Sequence, residues 1–66
     1  MSKSELKDLC IVIWKLMPEE KREEYYYDTG VLGFIEEVIA LAKIDVNKFT
    51  EDELDYIADQ ILYNII

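Results

Sequence analysis

Carboxylates and tyrosines interleave in two stretches of this sequence: Glu23-Glu24-Tyr25-Tyr26-Tyr27-Asp28 and, at helical spacing, Asp52, Asp55, Tyr56, Asp59 and Tyr63. The chemistry such residues do together is recognition. A carboxylate accepts two parallel hydrogen bonds from an arginine, and tyrosine adds a large rigid ring with a polar tip. A surface carrying both suits a basic protein surface, above all one that otherwise holds nucleic acid phosphates. The charge is concentrated as well as net: after Lys48 come Glu51, Asp52, Glu53, Asp55 and Asp59, with no lysine or arginine. The plainer alternative is an ordinary solvated acidic face whose tyrosines lie over the edge of the core.

Catalysis finds few groups to use. There is no histidine, and the only serines, Ser2 and Ser4, sit in a helix-capping sequence. Cys10 falls in an apolar stripe, where burial raises a thiol's pKa and makes it inert. Paired carboxylates can do acid–base work, but so small a chain has little room to enclose a substrate beside them. The expectation is a protein that is not an enzyme and carries no cofactor.

A calcium loop starting at Asp45 fails on its ligands. Phe49 takes the third ligand position, Thr50 replaces the turn glycine, and Tyr56 stands where the closing glutamate belongs. In size, charge and helix count the chain resembles acyl carrier proteins around Asp28-Thr29-Gly30-Val31-Leu32. A carrier, however, needs a serine after that aspartate to hold its prosthetic arm, and Thr29 occupies the place. Glu23-Glu24-Tyr25-Tyr26-Tyr27-Asp28 is similar in design to the aspartates and tyrosine pair that colicin immunity proteins, acidic four-helix inhibitors, present to a basic nuclease. This chain is shorter and carries no motif of that family. The likeness implies a basic, nucleic-acid-processing enzyme as the kind of partner.

Acidic residues outnumber basic ones 15 to 7, for a net charge of −8, while 52% of the chain is hydrophobic. Such a charge repels nucleic acid and anionic membranes and steers the protein toward basic surfaces. The apolar run through Cys10–Trp14 is far short of the roughly 20 residues a spanning helix requires. The N-terminus lacks the apolar core and cleavage site of a signal peptide. One thiol and no membrane signal point to the cytoplasm. At 66 residues the chain is expected to form a single acidic helical domain, of the marginal size usually supported by disulfides, metal or association. With one cysteine and no histidine, association remains.

The elements that must position these residues are helices. Ser2 and Glu5 form a capping-box pattern, and Leu6, Leu9, Cys10, Ile13 and Met17 follow at helical spacing. Ile11, Val12, Trp14 and Leu16 widen that apolar arc beyond one face. This fits either a central core helix or a self-association face built on Ile11 and Trp14. Pro18 ends the first helix and opens a short second one to about Tyr27, whose three successive tyrosines point about 100° apart. Asp28-Thr29-Gly30 predicts a turn with Asp28 or Thr29 as the next N-cap. A core helix then has Val31, Leu32, Phe34, Ile35, Val38, Ile39, Leu41 and Ala42 as its apolar side; Gly33 and Ala40 are small residues that would let another helix approach, unless Gly33 simply sits in the first turn, where its cost is small. Thr50 and Glu53 form a second capping box and Phe49 staples onto Leu54, opening a last helix whose apolar stripe is Leu54, Ile57, Ala58, Ile61, Leu62 and Ile65.

The fold class is therefore all-α, a compact bundle of three main helices and one short one. The leading functional expectation is a small inhibitor or antagonist, of the sort phages and mobile elements encode, that occludes a basic surface of a partner in the host cytoplasm. Two alternatives remain open: a helical homodimer or assembly subunit, and an antitoxin or antirepressor that neutralises a basic partner.

Overall fold

The fold is all-helical: α1 spans Lys3–Leu16, α2 Glu19–Tyr27, α3 Gly30–Leu41 and α4 Glu51–Ile65, with one 3-10 turn at Val46–Lys48 before α4. This computed structural model describes residues 1–65, with side chains throughout that range except at Val46, Asn64 and Ile65, so the expected place of Ile65 on the apolar stripe of α4 lies outside what is described.

Both capping boxes form as their sequences require. Glu5 N–H donates to Ser2 Oγ at 3.2 Å and Ser2 N–H to Glu5 Oε1 at 3.0 Å. At α4, Glu53 N–H donates to Thr50 Oγ1 at 3.2 Å and Thr50 N–H to Glu53 Oε1 at 3.0 Å. Each box satisfies backbone donors that a helix start leaves without partners. Phe49 and Leu54 flank the second box inside the core, as a staple should.

Pro18 sets the first break. Met17 before it is extended, with φ −72° and ψ 143°, as the proline ring demands, and α2 begins directly after. α3 ends in a Schellman motif, in which Ile44 N–H reaches Ile39 C=O at 3.1 Å and Lys43 N–H reaches Ala40 C=O at 3.1 Å. The left-handed position that glycine usually fills is here Lys43, with φ 58°.

The turn between α2 and α3 differs from the sequence expectation. Gly30 takes the left-handed conformation, φ 78°, but neither Asp28 nor Thr29 caps α3 with its side chain. Thr29 packs against Gly33 instead: a Cβ on Gly33 would lie 2.5 Å from both Thr29 Cβ and Oγ1. The bare α-carbon of Gly33 thus makes room for the preceding turn and not for another helix. Ala40, its expected companion, is exposed, and so are Leu32, Leu41 and Ala42, expected on the apolar side of α3: the core takes only the narrower stripe of Val31, Phe34, Ile35, Val38 and Ile39.

α1 and α3 both lie on α4, and α2 lies on α3. The core forms where the first three meet, around the fully buried Leu6, Cys10, Ile35, Ile39, Ile57 and Ile61. Each large aliphatic side chain buried there contributes roughly 1.5–3 kcal/mol. The radius of gyration is 11.0 Å, close to the value of about 11 Å expected for a packed chain of this length.

Trp14 corrects one expectation of the sequence. It is 2% exposed and meets Phe34 of α3 edge-on, with centroids 5.0 Å apart, so it belongs to the core of the single chain and not to a self-association face. Ile11 is half-buried against the same core. The apolar residues α1 leaves outside are Val12, 54% exposed, and Leu16, 80% exposed.

Candidate protein-docking face

Asp52, Asp55, Tyr56, Asp59 and Tyr63 are all exposed on α4, and the helical repeat gathers them along one side. Four residues of the other stretch, Glu23, Glu24, Tyr27 and Asp28, are exposed on the outer side of α2 beside Glu20. Tyr26 is where the two stretches converge. It lines an open cleft of about 500 Å³ together with Asp55 and Asp59 of α4. Val31, Ala58 and Leu62 give that cleft an apolar lining.

Such a cleft has the chemistry an arginine side chain needs. Its carboxylates match the guanidinium, its aromatic ring can stack on the same group, and its apolar lining accepts the aliphatic stem. Among the described residues Asp55 and Asp59 have no ion-pair partner; the ion pairs found there are Lys7–Asp8 and Lys21–Glu24, each at 3.6 Å. Both carboxylates are therefore solvated in this chain alone.

The three tyrosines of α2 separate, as their angular spacing requires. Tyr25 turns inward: its ring meets Phe34 edge-on at 5.4 Å and its hydroxyl donates to Glu37 on α3. That bond to a carboxylate raises the Tyr25 pKa above its ordinary value. Tyr25 thus lies at the edge of the core, away from the cleft with Asp55 and Asp59. Tyr26 and Tyr27 remain outside and meet edge-on at 5.2 Å.

The α4 stripe is also not uniform. Lys3, from the start of α1, places its ammonium 4.7 Å from the centroid of the Tyr56 ring, a cation–π contact that brings positive charge to one margin. Asp55 and Asp59 lie toward the opposite margin, beside Tyr26. The sequence could not reveal this, because Lys3 and Tyr56 meet only through the packing of α1 on α4.

Two further features escaped the sequence. A second cleft, of about 290 Å³, lies on the other side of Tyr26, lined by Trp14, Glu19, Arg22, Glu23 and Tyr27. Trp14 Nε1–H, buried, has no acceptor among the described residues. An apolar groove between α1 and α3 is lined by Leu9, Ile13, Met17 and Val38, with the exposed Leu41 at its margin.

Cys10 is fully buried, and burial pushes its thiol up to about 11, so it is protonated at neutral pH. No helix among the described residues is long and apolar enough to cross a membrane. Comparison with family models, with curated proteins and with solved structures finds no match to this chain.

Proposed function

We propose that this chain is a binding protein without catalytic activity, a small acidic inhibitor or antagonist that docks on a basic surface of a partner protein and keeps nucleic acid from it. The observation that supports this reading most is the shared cleft of Tyr26, Asp55 and Asp59. Charge alone would give a solvated surface; an aromatic ring and an apolar lining beside unpaired carboxylates add the contacts of a docking site. The net charge of −8 would speed encounter with a positive partner. An antitoxin or antirepressor would use the same face in the same way.

Competition tests this reading. Duplex DNA added to the complex of this chain with its partner should displace the chain, because both would occupy the same basic surface. A complex indifferent to saturating DNA would contradict occlusion.

A second reading, self-association, draws support from a different surface. Val12, Leu16 and Leu41 are exposed apolar side chains, and the groove between α1 and α3 is lined by further ones. Sedimentation separates the two readings: a dimer split by Leu16→Glu supports association through this side, and a monomer at micromolar concentration counts against it.

A further inference from the structure

The residues that α1 turns outward form a pattern that complements itself when the helix is reversed. Asp8, Val12, Lys15 and Leu16 are all exposed, and the helical repeat sets them in one row. Val12 stands in the middle. Asp8 lies about 6 Å before it along the helix axis and Lys15 about 4.5 Å after it, so acid and base are nearly equidistant from Val12. Asp8 makes a surface pair with its neighbour Lys7, at 3.6 Å, and Lys15 has no ion-pair partner among the described residues. The half-buried Leu9 and Ile13 border the row beside Leu16 and lead into the apolar groove between α1 and α3.

Charge selects what can cover this row. α4 has five acids and no base, and α2 has four acids against two bases, so two copies of the chain repel one another across those sides. α1 instead holds Lys3, Lys7 and Lys15 against Glu5 and Asp8, and it is the one α-helix that is not net acidic. A basic partner is drawn least to α1, whereas a second copy is repelled least there. The order of charges along α1 also fixes the direction. With two α1 helices antiparallel about a two-fold axis at Val12, each Lys15 faces Asp8 of the other copy, and Leu16 reaches Leu9 of the other copy. With the helices parallel and in register, Lys15 would face Lys15 and Asp8 would face Asp8.

We propose that a second copy of this chain covers α1, in a two-fold dimer whose antiparallel α1 helices meet at Val12, with Lys15 of each copy paired to Asp8 of the other and Leu16 packed on Leu9 of the other. The assignment rests on the self-association reading and gives it a face and a register. No α1 residue lines the cleft of Tyr26, Asp55 and Asp59, so the dimer uses different side chains from that cleft.

Exchange of charges tests the register. In sedimentation equilibrium at rising micromolar concentration, the full chain should form a dimer that added salt weakens. Lys15→Glu alone and Asp8→Lys alone should each weaken it several-fold, because each sets like charges together at two places in the dimer. The two variants mixed in equal amounts should regain the dimer, since both contacts in the mixed pair then join opposite charges. A mixture no more dimeric than its components overturns the antiparallel register, even where a dimer of the unaltered chain upholds self-association. An unaltered chain that stays monomeric overturns both. Val12→Glu gives an independent check: it places two like charges at the axis and should split the dimer while the helical signal stays, and an unweakened dimer overturns the proposal.

Discussion

Tyr26 and Asp55, far apart in the sequence, line the same cleft, brought together because α2 lies on α3 and α3 lies on α4. The packing gathers one tyrosine and two aspartates from segments that are separately only acidic. It also leaves their polar atoms outward, since the core draws on the opposite side of α4 through Leu54, Ile57 and Ile61. The acidic face and the core are thus different sides of one helix and can be altered separately.

The core side is the more sensitive to truncation. Ile61 is fully buried, and Ile61→Ala should cost about 2–5 kcal/mol. A chain of this length has roughly 3–10 kcal/mol in total, so much of its stability would go. Urea unfolding followed by helical circular dichroism measures the loss, and a cost under about 1 kcal/mol would argue that the site relaxes around the cavity.

At Gly33 two effects oppose each other. Alanine improves helix propensity by about 1 kcal/mol, but its Cβ would meet Thr29 Cβ at 2.5 Å. Because that atom is fixed to the backbone, the turn itself must move, and Gly33→Ala should destabilise by about 1–3 kcal/mol. Thr29→Gly in the same background should recover part of the loss, since it removes the obstructing side chain.

Lys43 occupies a left-handed conformation with a side chain that disfavours it. Lys43→Gly should stabilise the chain by up to about 1 kcal/mol, because the Schellman bonds from Lys43 and Ile44 use backbone atoms and survive the change. The thermal midpoint should rise accordingly.

Acid should weaken both capped helix starts. Backbone N–H bonds from Ser2 and Thr50 hold the Glu5 and Glu53 carboxyls below their ordinary value of 4.5. Their stabilisation is complete above that unfolded value and is lost as pH falls through the lowered folded one. Glu5→Gln with Glu53→Gln keeps the shape of each box and removes its titration. The variant should therefore lose less stability than the unaltered chain between pH 6 and pH 3, on the order of the range these carboxyls titrate over.

The elements whose signals are local were the ones readable from the sequence. Ser2 with Glu5, Thr50 with Glu53 and Met17 before Pro18 each act within a few residues, and each forms as its spacing implies. Trp14 was ambiguous for a physical reason: a helix whose apolar arc covers most of its circumference reads alike whether its outer residues meet the same chain or another one. Phe34 decides the matter, and nothing near Trp14 in sequence encodes that contact. The tyrosines pose the same problem. Their angular spacing says that they diverge, but only the position of Phe34 and Glu37 tells that Tyr25 is the one turned inward. The acidic stripe of α4 was legible from its helical repeat, whereas Lys3 over Tyr56 and Tyr26 beside Asp55 depend on how the helices pack.

The docking reading is tested most directly by offering the unaltered chain and its Asp55→Lys, Asp59→Lys variant side by side as baits for proteins of the native host cell. Both side chains are exposed and have no ion-pair partner among the described residues, so the variant should keep its helical signal and its unfolding transition. The unaltered bait should retain a basic, nucleic-acid-binding protein that salt releases, and the variant should retain little of it. Equal capture by both baits, or a partner that is acidic or indifferent to salt, would contradict recognition through this face.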